Sequence, residues 1–277
     1  MRIDAHQHFW TYKPREYPWI DDSMQALRRD FLPDDLRTEL ERAGFARSIV
    51  VQACHSLEET RWLLRLAKGS PFVAGVIGWV DLCSEDLGDQ LREFSNHSKF
   101  LGVRHVVQSE PDERFLVKPE FMRGIRALEE FNLTFDILIY PRHLKVAREF
   151  VERFPRQRFV LDHMAKPPIK SGALEPWATD FRCLAKFPNL FCKVSGLVTE
   201  ADWRAWRPDH LKPYLDVAFE SFGPERLMIG SDWPVCTVAA AYSEVMGTVI
   251  EFIDKFAGPG SEAVLGGTAA GFWRLRA

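Results

Sequence analysis

Short apolar runs typical of β-strands recur eight times along this chain, and each is followed by an amphipathic stretch typical of a helix. Most runs are continuous rather than alternating, which is the pattern of parallel strands buried on both faces. Strand and helix alternate at about 30 residues per unit, which predicts a (β/α)8 barrel of the TIM type. A doubly wound sheet is the alternative, but the sequence has no Gly-rich phosphate-binding loop. We predict strands at Ile3–Phe9, Arg47–Ala53, Phe72–Trp79, Leu101–Val107, Leu133–Ile139, Arg158–Met164, Leu190–Ser195 and Leu227–Asp232.

Three of the intervening segments have recognisable helix ends. One begins at Pro33, with acidic residues in its first turn, and ends at Gly44. A second follows the capping-box pattern of Ser56 and Glu59. A third runs over 141–154 and begins with proline. No linker, charge run or repeat interrupts the alternation, so residues 1–277 are predicted to form one barrel domain.

Charge and composition restrict the partners that the chain can have. Lys plus Arg number 36 and Asp plus Glu number 39, for a net charge of −3, so a basic surface that would bind nucleic acid is not expected. No apolar run is long enough to span a membrane, and the N-terminus lacks the apolar core of a signal peptide. Five scattered cysteines without a CxxC pair indicate reduced thiols. A small-molecule substrate and a cytoplasmic location are therefore expected.

Polar side chains stand at the predicted C-terminal ends of several strands, where barrel enzymes place their active sites. His6 and His8 end the first strand and, being two residues apart, point to the same side of it. Two neutral imidazoles side by side suit a divalent metal, although two structural histidines would give the same pattern. Asp232 ends the eighth strand, which lies beside the first in a closed barrel. Its carboxylate would bind the same metal or take a proton from water, whereas a lone aspartate there would cap a helix.

Other candidates follow the fourth, fifth and sixth strands. His163 would be a third imidazole, either a metal ligand or a donor to a carbonyl oxygen, and Lys166 would hold the substrate unless it is a solvated lysine. Arg104 and His105 point to opposite sides of the fourth strand, so at most one of these two candidate substrate-binding residues faces the centre. Tyr140, just past the fifth strand, would donate a hydrogen bond to the substrate.

The segment after the first strand is rich in aromatic residues, among them Trp10 and Trp19. Aromatic faces beside polar donors suit a sugar-like ligand. A hydrophobic lid, or a contact between subunits of a homo-oligomer, would use the same residues. Because the sequence has no GxSxG nucleophile elbow and no cysteine in a nucleophile context, activated water is the remaining reagent.

Several motifs, met in order along the chain, together resemble the amidohydrolase superfamily and its amidohydrolase-2, sugar-lactone hydrolase branch. Within that branch the opening pattern is most similar to the L-fuconolactone hydrolases. The resemblance extends from residue 2 to the GGTAA segment near the end of the chain. The motifs are IDAHQHFW at 3–10, YPWI at 17–20, GVRH at 102–105, DHMAKP at 162–167 and GSDWP at 230–234.

This resemblance implies a distorted (β/α)8 barrel in which water is activated between a divalent metal and the aspartate of the eighth strand. By motif match, His6 and His8 are the metal-ligand pair of the first strand, and Asp232 is the general base that also touches the metal. His163 matches the histidine of the sixth strand. The lysine or glutamate ligand of the fourth strand and the histidine ligand of the fifth have no counterpart. The resemblance therefore implies one divalent metal, zinc, or none.

Residues and resemblance together predict hydrolysis of a sugar-derived aldonolactone, similar to L-fuconolactone, to its aldonic acid. Asp232 would deprotonate the attacking water and pass the proton to the departing ring oxygen. The carbonyl would be polarised by the metal or by donors among His163, Arg104 and Lys166. The sequence also allows two alternatives, a metal-dependent decarboxylase of the same branch and a non-catalytic sugar-binding barrel.

Overall fold

Eight parallel strands in sequential order form the centre of the computed structural model, which describes residues 1–275. The barrel closes where β8 meets β1, through a parallel bridge between Gln7 and Trp233. The main-chain N–H of Asp232 donates to the His6 carbonyl oxygen at 2.8 Å across this junction. The predicted (β/α)8 barrel is confirmed. The strands are β1 Ile3–Gln7, β2 Arg47–Val51, β3 Val73–Gly78, β4 Phe100–His105, β5 Thr134–Ile137, β6 Phe159–Leu161, β7 Leu190–Val194 and β8 Leu227–Ile229.

Helices follow the strands and cover the outside of the barrel. The predicted start and end signals of α1 are present, with proline in its first turn and Gly44 in the left-handed conformation at its end. None of the helices within residues 1–275 is long and apolar enough to cross a membrane. The helices are α1 Pro33–Ala43, α2 Leu57–Gly69, α3 Leu87–Ser95, α4 Pro119–Glu130, α5 Leu144–Glu152, α6 Trp177–Leu184, α7 Pro208–Phe222, α8 Tyr242–Ala257 and α9 Thr268–Phe272.

Two helix predictions need correction at their starts. Ser56 Oγ accepts from the Glu59 N–H as predicted, but the Glu59 carboxylate does not return to Ser56. It accepts instead from the main-chain N–H groups of Ala53 and Cys54, because these donors at the end of β2 are buried and need an acceptor. The segment 141–154 begins with a 3-10 turn, and its α-helix covers only 144–152.

The predicted strands begin within one residue of the observed ones but extend one to three residues too far. Apolar residues continue past the last residue that pairs with the neighbouring strands, although the backbone there has already turned out of the sheet. After β6, His163 and Met164 adopt left-handed φ values of 51° and 53°. After β8, Asp232 does the same with φ 57°. These turns end the strands early and aim the following side chains across the barrel mouth.

The two ends of the barrel differ in composition. At the end where the strands begin, a separate apolar cluster includes Ile3, Ile49 and Ile77, and it is covered by Phe272 and Trp273 of the C-terminal segment. At the opposite end the strands finish in buried polar residues. The first end is packed as core, and the polar residues of the second end form the candidate site described below.

Candidate active site

A cavity of about 390 Å³ opens at the C-terminal ends of the strands. Its wall combines imidazole, carboxylate, guanidinium and ammonium groups with aromatic rings. Predicted site residues and residues from the loops after β4, β5 and β7 share this wall. The lining residues are His8, Trp19, Met24, Ala53, Arg104, Val106, Gln108, Ser109, Leu138, Tyr140, His163, Lys166, Thr199, Glu200, Trp203, Asp232 and Val235.

His6, His8 and Asp232 meet at the bottom of this cavity. The two Nε2 atoms are 3.1 Å apart. Asp232 Oδ1 is 3.3 Å from Nε2 of His8 and 3.7 Å from Nε2 of His6. Ligand atoms of a tetrahedral zinc ion, with bonds of about 2.0–2.1 Å, lie about 3.3–3.4 Å apart. The three side chains therefore have the spacing and the donor chemistry of a zinc site.

The neighbours of the two imidazoles bear on which ring nitrogen presents a lone pair to this point. Nδ1 of His8 is 2.8 Å from the Val51 carbonyl oxygen, which can only accept, so His8 carries its proton there and presents Nε2 as a lone pair. Nδ1 of His6 is 3.4 Å from Asp162 Oδ1. A carboxylate there favours a proton on Nδ1, whereas the Lys193 ammonium, 3.2 Å from the same atom, favours a lone pair on it. Burial lowers the pKa of both histidines, so both are neutral at neutral pH.

Asp232 is held in place by contacts between β8 and β1. Ser231 donates its N–H and its hydroxyl to the two carboxylate oxygens of Asp4, at 2.9 and 2.6 Å. Burial acts to raise the pKa of Asp232, but the surrounding imidazoles, His163 first and then His8, hold that pKa well below its usual range. Asp232 is therefore ionised, as both a metal ligand and a general base must be.

His163 stands on the other side of Asp232. Its Nε2 is 3.9 Å from Asp232 Oδ1, and its Nδ1 is 2.9 Å from the Ser195 hydroxyl. Gly196 makes this approach possible, because a Cβ there would lie 2.6 Å from His163 Nδ1 and the residue has φ +64°. Burial lowers the pKa of His163 to about 4, so the ring is neutral and able to donate one hydrogen bond into the cavity.

Arg104 is the member of the β4 pair that faces the barrel centre. Its guanidinium donates to Asp162 Oδ2 at 3.1 Å and to Gln52, through both the side-chain and main-chain oxygens. Nη1 of Arg104 is 3.3 Å from Nε2 of His6. These contacts fix the cation at the edge of the candidate zinc site.

The prediction that His105 contacts substrate is not supported by its position. His105 points away from the cavity, its Nε2–H donates to the Glu110 carboxylate at 2.7 Å, and its ring stacks on Phe115 with ring centroids 4.9 Å apart. The alternation of side chains along β4 forces this result once Arg104 points inward. Trp10 is also outside the cavity. It is fully buried, and its indole N–H donates to the Arg29 carbonyl oxygen at 3.0 Å.

Trp19, Tyr140 and Lys166, which the sequence predicts as substrate contacts, line the cavity. Trp19 donates its indole N–H to the Ala53 carbonyl oxygen at 3.1 Å and keeps 38% of its surface exposed. Lys166 Nζ donates to Glu200 Oε1 at 2.9 Å and lies 5.5 Å from the centre of the Tyr140 ring. Glu200 was missed, because nothing in the sequence marks the segment after β7 as part of the site.

A buried charge cluster beneath the site was also missed. Lys193 of β7 is fully buried and donates to Asp136 of β5, while its Nζ is 3.1 Å from Asp162 and 3.2 Å from Nδ1 of His6. Burial acts to raise the pKa of Asp162, but Lys193 beside it holds that pKa well below its usual range. A charged residue inside a strand predicted to be buried on both faces was the available signal for Lys193.

Comparison with known proteins places this chain in a family. The amidohydrolase model of the amidohydrolase-2 type matches residues 3–275. The chain belongs to this amidohydrolase family. An L-fucono-1,5-lactonase from Burkholderia ambifaria is 41% identical over 99% of this chain and 96% of its own length.

Solved structures agree with the family assignment. A crystal structure of an amidohydrolase from Burkholderia multivorans with bound zinc covers all of both chains, with 40% identity and a TM-score of 0.96. A probable 2-pyrone-4,6-dicarboxylic acid hydrolase from Acinetobacter baumannii, at 17% identity and a TM-score of 0.79, shares the fold of this amidohydrolase. The family resemblance inferred from the motifs is confirmed.

Proposed function

We propose that this amidohydrolase is a lactonase that hydrolyses a sugar-derived aldonolactone, similar to L-fuconolactone, to the aldonic acid. One observation carries the proposal. His6, His8 and Asp232 converge at the bottom of a polar cavity, in a chain 41% identical over nearly its whole length to an L-fucono-1,5-lactonase.

We assign His6, His8 and Asp232 as the residues that hold one zinc ion. When bound, zinc supplies Lewis-acid chemistry, by which a carbonyl is polarised or the pKa of water is lowered. The spacing of the three ligand atoms supports this assignment, as does the zinc in the structure of the Burkholderia multivorans relative.

Asp232 is the proposed general base. Its Oδ1 faces the two histidines, which leaves Oδ2 to accept a proton from the attacking water. Addition of the hydroxide to the lactone carbonyl gives a tetrahedral species with a negatively charged oxygen. When the bond between C1 and the ring oxygen breaks, Asp232 returns the proton to that oxygen. The acid product ionises, so each turnover releases one proton at neutral pH.

His163 and Arg104 are the proposed donors to the oxygen that becomes charged. With the Ser195 hydroxyl donating to Nδ1, His163 carries its proton on Nε2 and directs it into the cavity. Arg104 is fixed by Gln52 and Asp162, so it needs little reorganisation during the reaction. Loss of one such donor typically lowers kcat by about 10²–10³.

Trp19, Tyr140 and Lys166 are the proposed contacts to the rest of the sugar. Their rings and polar ends match a ligand with apolar C–H faces and several hydroxyl groups. His105 and Trp10 are not included, because both lie outside the cavity. A cytoplasmic location and assembly into a homo-oligomer stay predictions from the sequence.

Proton release with a panel of aldonolactones tests the proposed reaction. The panel contains L-fucono-, L-galactono-, L-rhamnono- and D-arabinonolactone, each measured against an enzyme-free blank because lactones hydrolyse spontaneously. We expect the largest rates with the L-fucono and L-galactono compounds, and no release of CO₂. Rates equal to the blank with every lactone, in the presence of added zinc, would contradict the lactonase proposal.

The zinc assignment is tested separately in the same assay. After dialysis against a chelator we expect the rate to fall and to recover with one equivalent of Zn²⁺ per chain. Full activity in metal-free protein would reject the zinc assignment while leaving the lactonase proposal in place.

A further inference from the structure

Apart from the proposed zinc ion, the side chains that line the cavity carry equal numbers of positive and negative charges. Arg104 and Lys166 contribute two positive charges, and Glu200 and Asp232 contribute two negative ones. Each cation is paired with a carboxylate, since Arg104 Nη1 is 3.1 Å from Asp162 and Lys166 Nζ is 2.9 Å from Glu200. A substrate that carried its own carboxylate would find no unneutralised side-chain cation in this wall.

The Lys166–Glu200 pair joins two neighbouring loops at the wall. Lys166 follows β6 and has a left-handed backbone, and Glu200 ends the 3-10 turn Val198–Glu200 after β7. Their side chains are 17% and 21% exposed, so solvent screens the pair much less than it screens a surface ion pair. Lys166 donates to Oε1 of Glu200, so Oε2 of Glu200 can accept a hydrogen bond from a ligand.

We propose that Glu200 is a specificity-determining residue. By neutralising Lys166 it restricts the cavity to uncharged lactones, and its second oxygen accepts a hydrogen bond from a substrate hydroxyl group. This inference rests on the proposed lactonase function and names the charge state of the substrate that the site takes.

Removal of the Glu200 charge should admit an anionic lactone. In Glu200→Gln, Lys166 keeps a neutral hydrogen-bonding neighbour but is free to pair with a substrate carboxylate. In the natural protein that carboxylate would instead meet the Glu200 carboxylate, and like charges at a poorly screened site repel. The opposite variant, Lys166→Gln, leaves Glu200 unneutralised and should exclude anions more strongly.

A matched pair of substrates isolates this effect. L-galactono-1,4-lactone is uncharged, and L-galactaro-1,4-lactone differs from it only in having a terminal carboxylate in place of the hydroxymethyl group. The measured quantity is the ratio of kcat/KM for the charged lactone to that for the neutral one. A charge-assisted hydrogen bond is worth enough for a change of about tenfold or more, so Glu200→Gln should raise the ratio by that factor.

The ratio should follow the net charge of the wall in four proteins, which are the natural protein, Glu200→Gln, Lys166→Gln and the variant with both changes. It should be highest in Glu200→Gln, lowest in Lys166→Gln, and near the natural value in the double variant, whose wall is again balanced. Asp216→Asn is the matched control, because it breaks the exposed Lys212–Asp216 pair on α7 and should leave the ratio unchanged. A ratio that stays constant in both single variants, with melting temperatures near that of the natural protein, would overturn the inference.

A binding measurement separates this inference from the proposed function. Quenching of tryptophan fluorescence, from Trp19 and Trp203 in the wall, reports occupation of the cavity without turnover. If the natural protein hydrolyses neither these two lactones nor any lactone of the panel above, the lactonase proposal fails. Tighter binding of L-galactaro-1,4-lactone to Glu200→Gln would still support the role of Glu200, and equal binding would overturn it.

Discussion

Lys193 is a single residue on which the shape of the site depends. Its ammonium group lies among Asp136, Asp162 and the imidazole of His6, and all four side chains are fully buried. The cation allows two carboxylates to remain close together at the centre of the barrel, and one of them positions His6. The charge cluster therefore couples the stability of the barrel to the geometry of the candidate zinc site.

Replacement of Lys193 by methionine should destabilise the fold strongly. The change leaves Asp136 and Asp162 buried without their cation, and breaking a buried pair in this way costs about 3–5 kcal/mol in the free energy of unfolding. The loss in the free energy of unfolding is measured by urea unfolding, with tryptophan fluorescence as the signal. The exposed Lys212→Met is the control. The double variant Lys193→Met with Asp136→Leu should recover part of the loss. A loss below about 1 kcal/mol in the single variant would show that the cluster is not stabilising.

At the level of elements, the loop after β1 is tied to the loop after β2. Tyr17 donates its hydroxyl to Glu59 at 3.3 Å, and Trp19 donates to the Ala53 carbonyl oxygen. The same Glu59 carboxylate accepts from the N–H groups of Ala53 and Cys54, at 3.0 and 3.1 Å. Glu59 thereby supports the part of the cavity wall that Trp19 forms.

The burial of Glu59 predicts a pH dependence of stability. Burial raises the pKa of Glu59 from 4.5 to about 7, so the folded state binds more protons than the unfolded state between these values. The free energy of unfolding should then fall as the pH rises through this window, by about 1–3 kcal/mol for this residue. Glu59→Gln cannot titrate and should lose less stability between pH 5 and pH 8. Parallel curves of melting temperature against pH for the two proteins would contradict this prediction.

The sequence predicted the elements better than it predicted their ends. Continuous apolar runs located all eight strands, because parallel strands buried on both faces need such runs. The ends were placed too late where left-handed residues such as His163 and Asp232 interrupt the ladder, since apolar pattern carries no information about φ. The same limit applies to Glu200, whose place in the wall depends on a turn after β7.

For the molecule as a whole, an apolar cluster and the polar cavity occupy opposite ends of the barrel. The end where the strands begin is covered by Phe272 and Trp273 and packed as apolar core. The other end carries the polar cavity and the converging pair His6 and His8, with Asp232 across the closure between β8 and β1. The pairing of His6, His8 and Asp232 was predicted from the sequence, because it follows from barrel closure alone. Glu200, the partner of Lys166, was not predicted, because its position depends on the conformation of the loop after β7.

The most direct test is the rate of L-fuconolactone hydrolysis by the natural protein and by Asp232→Asn, with the zinc content of both measured. The asparagine keeps the shape of the side chain but cannot take a proton from water. We predict that kcat falls by at least about 10³ while KM changes little, because the lost interaction belongs to the transition state. Full turnover by Asp232→Asn would contradict the account, since no base would then be needed at the point where β8 meets β1.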